Sequence, residues 1–498
     1  MSFEPQYNGV TYTEELGVKK EQVGVFCKSD VASESVERII SVTASSCVSP
    51  ENRGENAGFN GKTVFCVFYS DSEGALKKYE CGKEFSGVFS DAAGAEIKAL
   101  CCKTEKIEAD LSGITLSVSA VVTVSATASE KKEISYLSGG EDVIVNGSEK
   151  EIIKNFGEVT GVYPVIEEFE LDYPVKEVLS HKATVIPTAV QCGVGTVIID
   201  GEAVVTSIVL PNSENSGIIK ETKVLPIRLE VEYEDAMPTF EADAAIFVKS
   251  FKTDVTVDET NGKSAVELSL NVFYEVKASV TESISVAEDT FSTTELLRCE
   301  KDGFSFAKNC GVRTEKQKVS LRANLSPLGE NDRIVTVYND AAEPVSVKKE
   351  SDGLKITGSY SAEVFIENDG KYRTEKVETP FSVVVPEFDF DGDVLLKVYP
   401  AESSVRQITA DEIEINSELV LALSLKKTER IDYIKSVASE GEKKGETAGI
   451  SVYIAVNGED LWSLSKRLNV CPDELTENNK ELKFPLTGEE RIVVYRKR

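Results

Sequence analysis

Apolar and polar residues alternate with a period of two along much of this chain. The run Ile114-Thr-Leu-Ser-Val-Ser-Ala-Val-Val-Thr-Val124 sets apolar against small polar side chains. Val266-Glu-Leu-Ser-Leu-Asn-Val-Phe-Tyr-Glu-Val276 and Ile413-Glu-Ile-Asn-Ser-Glu-Leu-Val-Leu-Ala-Leu-Ser-Leu425 do the same. Such alternation buries one face and wets the other, as in an antiparallel sheet. Upstream of each lies another strand-like run: Thr63 to Tyr69, Ala203 to Leu210 and Tyr360 to Ile366. A polar residue and a glycine precede each of these, at Asn60-Gly61, Asp200-Gly201 and Thr357-Gly358. Glycine accepts the positive φ of hairpin turns, so the pattern predicts a turn at all three. Further turns are expected at Asp71-Ser-Glu-Gly74, at Asn212 to Gly217 and at Asn368-Asp-Gly370.

The order of these signals repeats. A charged-then-apolar string occurs as Glu37-Arg38-Ile39-Ile40, Lys176-Glu177-Val178-Leu179 and Asp332-Arg333-Ile334-Val335. From Ile39 to Gly61, Val178 to Gly201 and Ile334 to Gly358 the separations are 22, 23 and 24 residues. From each glycine to the alternating run they are 53, 65 and 55, measured to Ile114, Val266 and Ile413. The second copy is longer, with its extra residues expected in a loop around Glu234 to Pro238. The chain is too long for a single core. It reads as mostly β, with three β-rich antiparallel repeat domains at 1–129, 172–290 and 318–435. Connectors are expected at 130–171, with a short helix near Glu149 to Asn155, and at 291–317. Residues 436–450 are polar and glycine-rich and read as a flexible linker. A compact unit follows at 451–498.

That last unit changes pattern. Tyr453-Ile-Ala-Val456 reads as a short strand, and Arg491-Ile-Val-Val-Tyr495 as a returning one. Between them, Asp460 is placed to cap a helix with its side-chain oxygen. Leu461, Leu464 and Leu468 then form one apolar stripe. Pro472 suits the first position of a second helix, where its missing N–H costs nothing. Cys471 stands at the capping position before it, Leu475 points inward, and Asn478 and Asn479 end it. Trp462, the sole tryptophan, sits beside the leucine stripe. It reads either as a packing residue on the helix shoulder or as an interface anchor.

Charge sharpens the division. The chain holds 55 Lys and Arg against 85 Asp and Glu, for a net −30. From Ser451 onward the counts are 8 and 8, which leaves 47 against 77 in residues 1–450. The acidic excess thus belongs to the repeats, keeps them soluble, and makes nucleic acid an unsuitable partner. Ten cysteines show no Cys-x-x-Cys pair, and the one histidine, His181, has no histidine companion. No metal, no cofactor and no enzymatic activity are expected. Met-Ser-Phe-Glu-Pro-Gln-Tyr shows no leader pattern, and no apolar stretch is long enough to span a membrane. Reduced thiols and a cytoplasmic setting are expected. Cys192-Gly193-Val194-Gly195 lacks the third glycine and the following helix of a phosphate loop. Asp389 and Asp391 read as a solvated turn.

The ordered repeats followed by the terminal unit resemble the SipL family of clostridial spore-coat morphogenetic proteins, in which SPOCS domains precede a C-terminal LysM module. The likeness covers most of the chain. In the first repeat Val31-Ala-Ser-Glu-Ser-Val36 stands where the family has a proline-rich stretch. The resemblance implies a non-enzymatic adaptor in the mother-cell cytoplasm. It implies a LysM module that binds a SpoIVA-like coat-basement ATPase, with the repeats binding coat proteins or further copies. The alternative it carries is recognition of peptidoglycan or N-acetylglucosamine. LysM ligands lie between the first strand–helix loop and the loop before the last strand. The candidate contact residues here are therefore Gly458, Glu459, Asp460, Leu461, Trp462, Asn478, Phe484, Pro485 and Leu486. Glu459-Asp460 replaces the family's Asp-Thr and adds a carboxylate to that groove.

Overall fold

A computed structural model describes residues 3–53, 56–92, 94–212, 217–258, 262–443 and 449–496. Strands hold 79% of it and helices 4%, so the mostly β class read from the alternation stands. Among the described residues no helix is long and apolar enough to cross a membrane.

Eighteen strands form three copies of one six-stranded unit. The first comprises β1 (Glu4–Asp30), β2 (Val36–Arg53), β3 (Asn56–Asp71), β4 (Leu76–Val88), β5 (Glu96–Ser112) and β6 (Thr115–Glu141). The second comprises β7 (Ile144–Leu171), β8 (Val175–Cys192), β9 (Thr196–Pro211), β10 (Ile219–Glu232), β11 (Glu241–Asp258) and β12 (Lys263–Phe291). The third comprises β13 (Glu295–Asn324), β14 (Asp332–Glu350), β15 (Gly353–Asn368), β16 (Lys371–Pro386), β17 (Asp393–Gln407) and β18 (Glu412–Glu442). Each unit has a meander sheet, ordered β2-β3-β4 in the first. Each also has a sheet in which the last strand returns between the first and fifth, ordered β1-β6-β5. All pairings are antiparallel.

The two sheets of a unit face one core. In the first unit Phe59, Phe65 and Val67 of β3 meet Val118, Val122 and Val124 of β6. Ile199 and Val205 meet Leu268 and Leu270 in the second, and Ile356 and Val364 meet Leu421 and Leu423 in the third. The alternating runs are the central strands β6, β12 and β18, buried on every second residue.

The three repeated glycines do not make turns. Gly61, Gly201 and Gly358 lie inside the central meander strands β3, β9 and β15. None has a positive φ. They are glycine because neighbouring strands crowd them. A Cβ on Gly61 would lie 2.8 Å from the Cys47 carbonyl, one on Gly201 2.6 Å from that of Ile186, and one on Gly358 2.5 Å from the Phe381 ring. The turns fall elsewhere. Gly74 (φ 84°) closes β3–β4, Gly195 (φ 70°) closes β8–β9, and Asp369 with Gly370 (φ 47° and 79°) closes β15–β16. Two consecutive left-handed residues make the last a type I′ turn. Of the turn expected at Asn212 to Gly217, residues 213–216 lie outside the described residues. The glycine run Gly193 to Gly195 is the β8–β9 hairpin tip, where the Gly193 N–H donates to the Thr196 carbonyl.

Residues 130–171 and 291–317 are strand rather than connector except for short turns at 142–143 and 292–294, and the helix expected at Glu149 to Asn155 does not form. Those residues belong to β7 and pair with Ser279 to Ser285 of β12. Helix propensity is a weak prior that sheet pairing overrides. Bulges at Glu15/Gly17, Lys277/Ser279 and Asn309/Val312 divide each long two-stranded ribbon. The inner part belongs to its sandwich. The outer parts of all three ribbons bury one another, through Tyr12 and Tyr136, Ile152, Ile153 and Val286, and Phe304, Phe306, Ile431 and Tyr433. Tyr12 and Phe304 bring their ring centroids to 4.6 Å. A second shared core joins the meander sheets, with Phe68 and Leu76, Leu179 and Ile208, and Tyr338 and Phe365. Polar ties bridge each pair of units. Both Glu275 oxygens accept from the Ala99 N–H at 3.0 and 3.2 Å. The Arg38 guanidinium donates to the Tyr372 carbonyl at 2.6 Å, and Lys316 Nζ reaches Glu202 at 2.9 Å.

His181 of β8 lies at such a junction. It packs on Phe251 of β11 with centroids 4.3 Å apart, and its buried Nδ1 has no hydrogen-bond partner. Burial, reinforced by Lys78 of β4 and opposed by Glu80, lowers its pKa. The folded chain therefore resists protonating it, whereas the unfolded chain takes the proton near pH 6.5. Stability present above pH 6.5 should fall as the pH drops below it. His181→Gln should remove that part of the decline, as measured by melting temperature between pH 7.5 and 5.5. Gly358→Ala should cost about 1–3 kcal/mol in urea unfolding, as overpacking does. Gly24→Ala, where a Cβ meets nothing within 4 Å, should stay within about 0.5 kcal/mol of wild type.

Candidate binding surface on the C-terminal module

After residues 444–448, which lie outside the described residues, the chain forms β19 (Gly449–Ile454), α1 (Leu461–Leu468), α2 (Pro472–Asn478) and β20 (Arg491–Arg496). β19 and β20 pair antiparallel. The Asp460 side chain accepts from the Ser463 N–H at 2.7 Å and starts α1. Leu464, Leu468, Val470, Leu475, Leu486, Ile492 and Val494 form the core, with Leu461 against it. Cys471 makes no side-chain cap, and Pro472 opens α2. Asn479 ties that helix to β20, donating to the Leu475 and Val493 carbonyls and accepting from the Val493 N–H at 2.7 Å.

The two loops of the expected groove are clasped to each other. The Gly458 N–H donates to the Leu486 carbonyl at 2.7 Å, and the Leu486 N–H to the Glu459 carbonyl at 2.9 Å. Those amides are thus occupied, and Leu486 is buried in the core. Glu459 holds Arg467 through two hydrogen bonds of 2.7 and 2.8 Å. The Arg467 guanidinium keeps the Glu459 carboxyl below its usual range, so it is not a free charge in the groove. Asn457, Gly458, Asp460, Asn478 and Pro485 remain exposed, and Phe484 is half-buried.

Trp462 points the other way. Its Nε1–H donates to the Asp289 carboxylate at 2.9 Å, and its ring meets Phe291 edge-on at 5.1 Å. Lys466 also reaches Asp289, at 2.7 Å. Burial raises the Asp289 carboxyl, but the Lys466 and Trp462 hydrogen bonds outweigh that and keep it low. Asn469, in the left-handed conformation at the end of α1, donates to the Thr293 carbonyl at 2.7 Å. Asp142 accepts from the Ser292, Thr293 and Thr294 hydroxyls and so shapes the β12–β13 turn that receives α1. The described part of the expected linker is structured, while residues 444–448 of it lie outside the described residues. Residues 436–442 belong to β18, and Lys443 donates to the Ser292 carbonyl and to Asn469 Oδ1, both at 2.6 Å. The module is docked on the second unit's last strand, with Trp462 inside the seam.

What the module leaves open is the outer face of its sheet. Ile450, Val452, Ile454 and Val456 are 68, 60, 70 and 55% exposed, and Tyr495 is 49% exposed. Register places Tyr495, Val493 and Arg491 opposite Ile450, Val452 and Ile454. This is one apolar face with a single cation at its end. An apolar patch on a folded surface is a candidate interaction site. The sequence carries a signal for it, because Ile450-Ser-Val-Tyr-Ile-Ala-Val456 is apolar at every position but Ser451, more than one buried face needs. Asp289, Phe291 and Asn469 carry no comparable local signal.

Elsewhere, a crevice of about 850 Å3 runs between the second and third units. Lys220 lies in it, 3.6 Å from Asp340. Asp340 also accepts from Ser403 and from Tyr360, the latter at 3.1 Å. The crevice lining holds no histidine or cysteine. Asp389 is fully exposed beside Lys349. Among the described residues no group of three or more His, Cys, Asp and Glu side chains is placed to hold a metal.

Because Trp462 is the sole tryptophan, its fluorescence reports the docked seam. Asp289→Ala should shift the emission to longer wavelength and increase quenching by iodide while far-ultraviolet circular dichroism stays unchanged. Unaltered emission would show that the seam does not hold the module.

Compared with models of known protein families, with curated proteins and with solved structures, the chain matches none.

Proposed function

We propose that this chain is a non-enzymatic adaptor of spore-coat assembly. In this reading the repeats are SPOCS-like, and the terminal unit is a LysM-like module that binds a SpoIVA-like coat-basement ATPase in the mother-cell cytoplasm. The observation that carries the proposal is the exposed apolar face formed by Ile450, Val452, Ile454 and Val456, on a module whose own helices already fill its other side. A protein surface, rather than a sugar chain, is the ligand such a continuous aliphatic face suits. Sugar recognition needs directed polar groups, and the loop amides of Gly458 and Leu486 are occupied. Trp462 acts as a positioning residue in this reading, since its indole holds the module to Asp289. The docked module presents its face at a fixed place on the acidic body. The repeats add surfaces for coat proteins or further copies, so several weak contacts combine.

Val452→Asp with Ile454→Asp should weaken capture of the purified ATPase on the order of tenfold or more, the effect of losing central interface residues. The Trp462 emission of that variant should match wild type, which shows that the module remains folded and docked. Unchanged capture would reject the face as the contact. Co-pelleting of the wild-type chain with purified peptidoglycan would favour the glycan alternative.

A further inference from the structure

The crevice between the second and third units carries opposite charge on its buried wall and its open rim. Lys220 of β10 stands in the wall, its side chain only 6% exposed. Its ion-pair partner, Asp340 of β14, is 12% exposed and lies 3.6 Å away, beyond hydrogen-bond reach. Asp340 instead accepts from Ser403 and, at 3.1 Å, from Tyr360. Lys182 adds a second ammonium, which donates to the Asp340 carbonyl at 3.3 Å. Two cations therefore lie beside one carboxylate. A buried ammonium has three donors to satisfy and needs acceptors for them. On the rim, Glu402 of β17 and Glu418 of β18 both line the crevice and stand directly opposite in register. Like charges so placed repel. Lys318 of β13 is opposite Glu418 on its other side, so the rim holds two carboxylates against one cation. Among the described residues neither glutamate makes an ion pair. The next row across the same sheet is Ser320, Asn416 and Ser404, which lines the crevice with hydroxyl and amide groups.

We propose that this crevice binds a short peptide as a zwitterion, with the C-terminal carboxylate on Lys220 and the N-terminal ammonium between Glu402 and Glu418. The carboxylate supplies the acceptors that the Lys220 ammonium lacks and balances the excess cation beside Asp340. The ammonium relieves the repulsion between the two opposed glutamates. The peptide groups in between meet the row of Ser320, Asn416 and Ser404. The volume of about 850 Å3 is that of a small-ligand site, and such sites favour the seam between two folded units. A dicarboxylate or a polyphosphate suits the crevice less, because its second negative charge meets the glutamate rim. The bound peptide touches β10 of the second unit and β13, β17 and β18 of the third, so it ties the two units together.

The test titrates the full chain with trialanine and follows binding by saturation-transfer NMR. Trialanine should bind saturably. Trialanine amide and N-acetyl-trialanine should each bind about tenfold more weakly, the effect of losing one charged hydrogen-bonding group. Lys220→Met should lose the preference for the free carboxylate. Because that substitution leaves Asp340 buried without its partner, Glu402→Gln with Glu418→Gln supplies a second variant at the rim. It should weaken trialanine to the level of N-acetyl-trialanine and leave the binding of N-acetyl-trialanine unchanged. Emission from Trp462, which lies in the other seam, reports that each variant is folded. No saturable binding of trialanine, equal binding of its amide, or a rim variant that still prefers the free ammonium would each overturn the proposal.

Discussion

Everything in this molecule depends on six strands burying their outer halves together. A two-stranded ribbon alone in water is marginal, because it has no face that both strands can hide. The ribbons β1–β6, β7–β12 and β13–β18 each run past their own sandwich as such a pair. They become stable only where Tyr12, Ile153, Phe304 and Tyr433 bury one another. That shared core turns three sandwiches into one body. It also fixes where the β12–β13 turn lies, and therefore where Asp289, Phe291 and Thr293 wait for the C-terminal helix.

The sequence shows this architecture unevenly, for physical reasons. The central strands β6, β12 and β18 are legible because one face of each is buried along much of its length, which keeps every second position apolar there. The terminal unit is legible because Asp460, the leucine stripe and Pro472 are local signals that local structure obeys. The outer ribbons are hidden in the sequence. Their buried residues are spaced by contacts among three ribbons, so Glu149 to Asn155 looks helical in isolation and is strand in place. Gly61, Gly201 and Gly358 mislead for a related reason. A glycine needed for close approach and a glycine needed for positive φ are the same letter, and only the neighbouring strands distinguish them.

The binding surface was half legible. Trp462 stands out as the sole tryptophan, but its partners Asp289 and Phe291 lie far away in sequence, and they place it in an internal seam. Gly458 and Leu486, expected to line an open groove, bond to each other. The face offered to solvent is one that short-range rules would make polar. A module of balanced charge with an aliphatic face thus sits against a strongly acidic body in one chain.

The closed pairing of first with last strand has a consequence for synthesis. β1 cannot find its central partner until β6 has been made, and the same delay recurs in each unit. Each unit has all six of its strands once its own last strand has been made. The ribbons must then wait, two apolar edges at a time, until β18 emerges to complete the bundle. A nascent chain stalled before residue 442 would carry sticky, unfinished ribbons, so the order of translation itself decides how long the molecule is exposed to wrong partners.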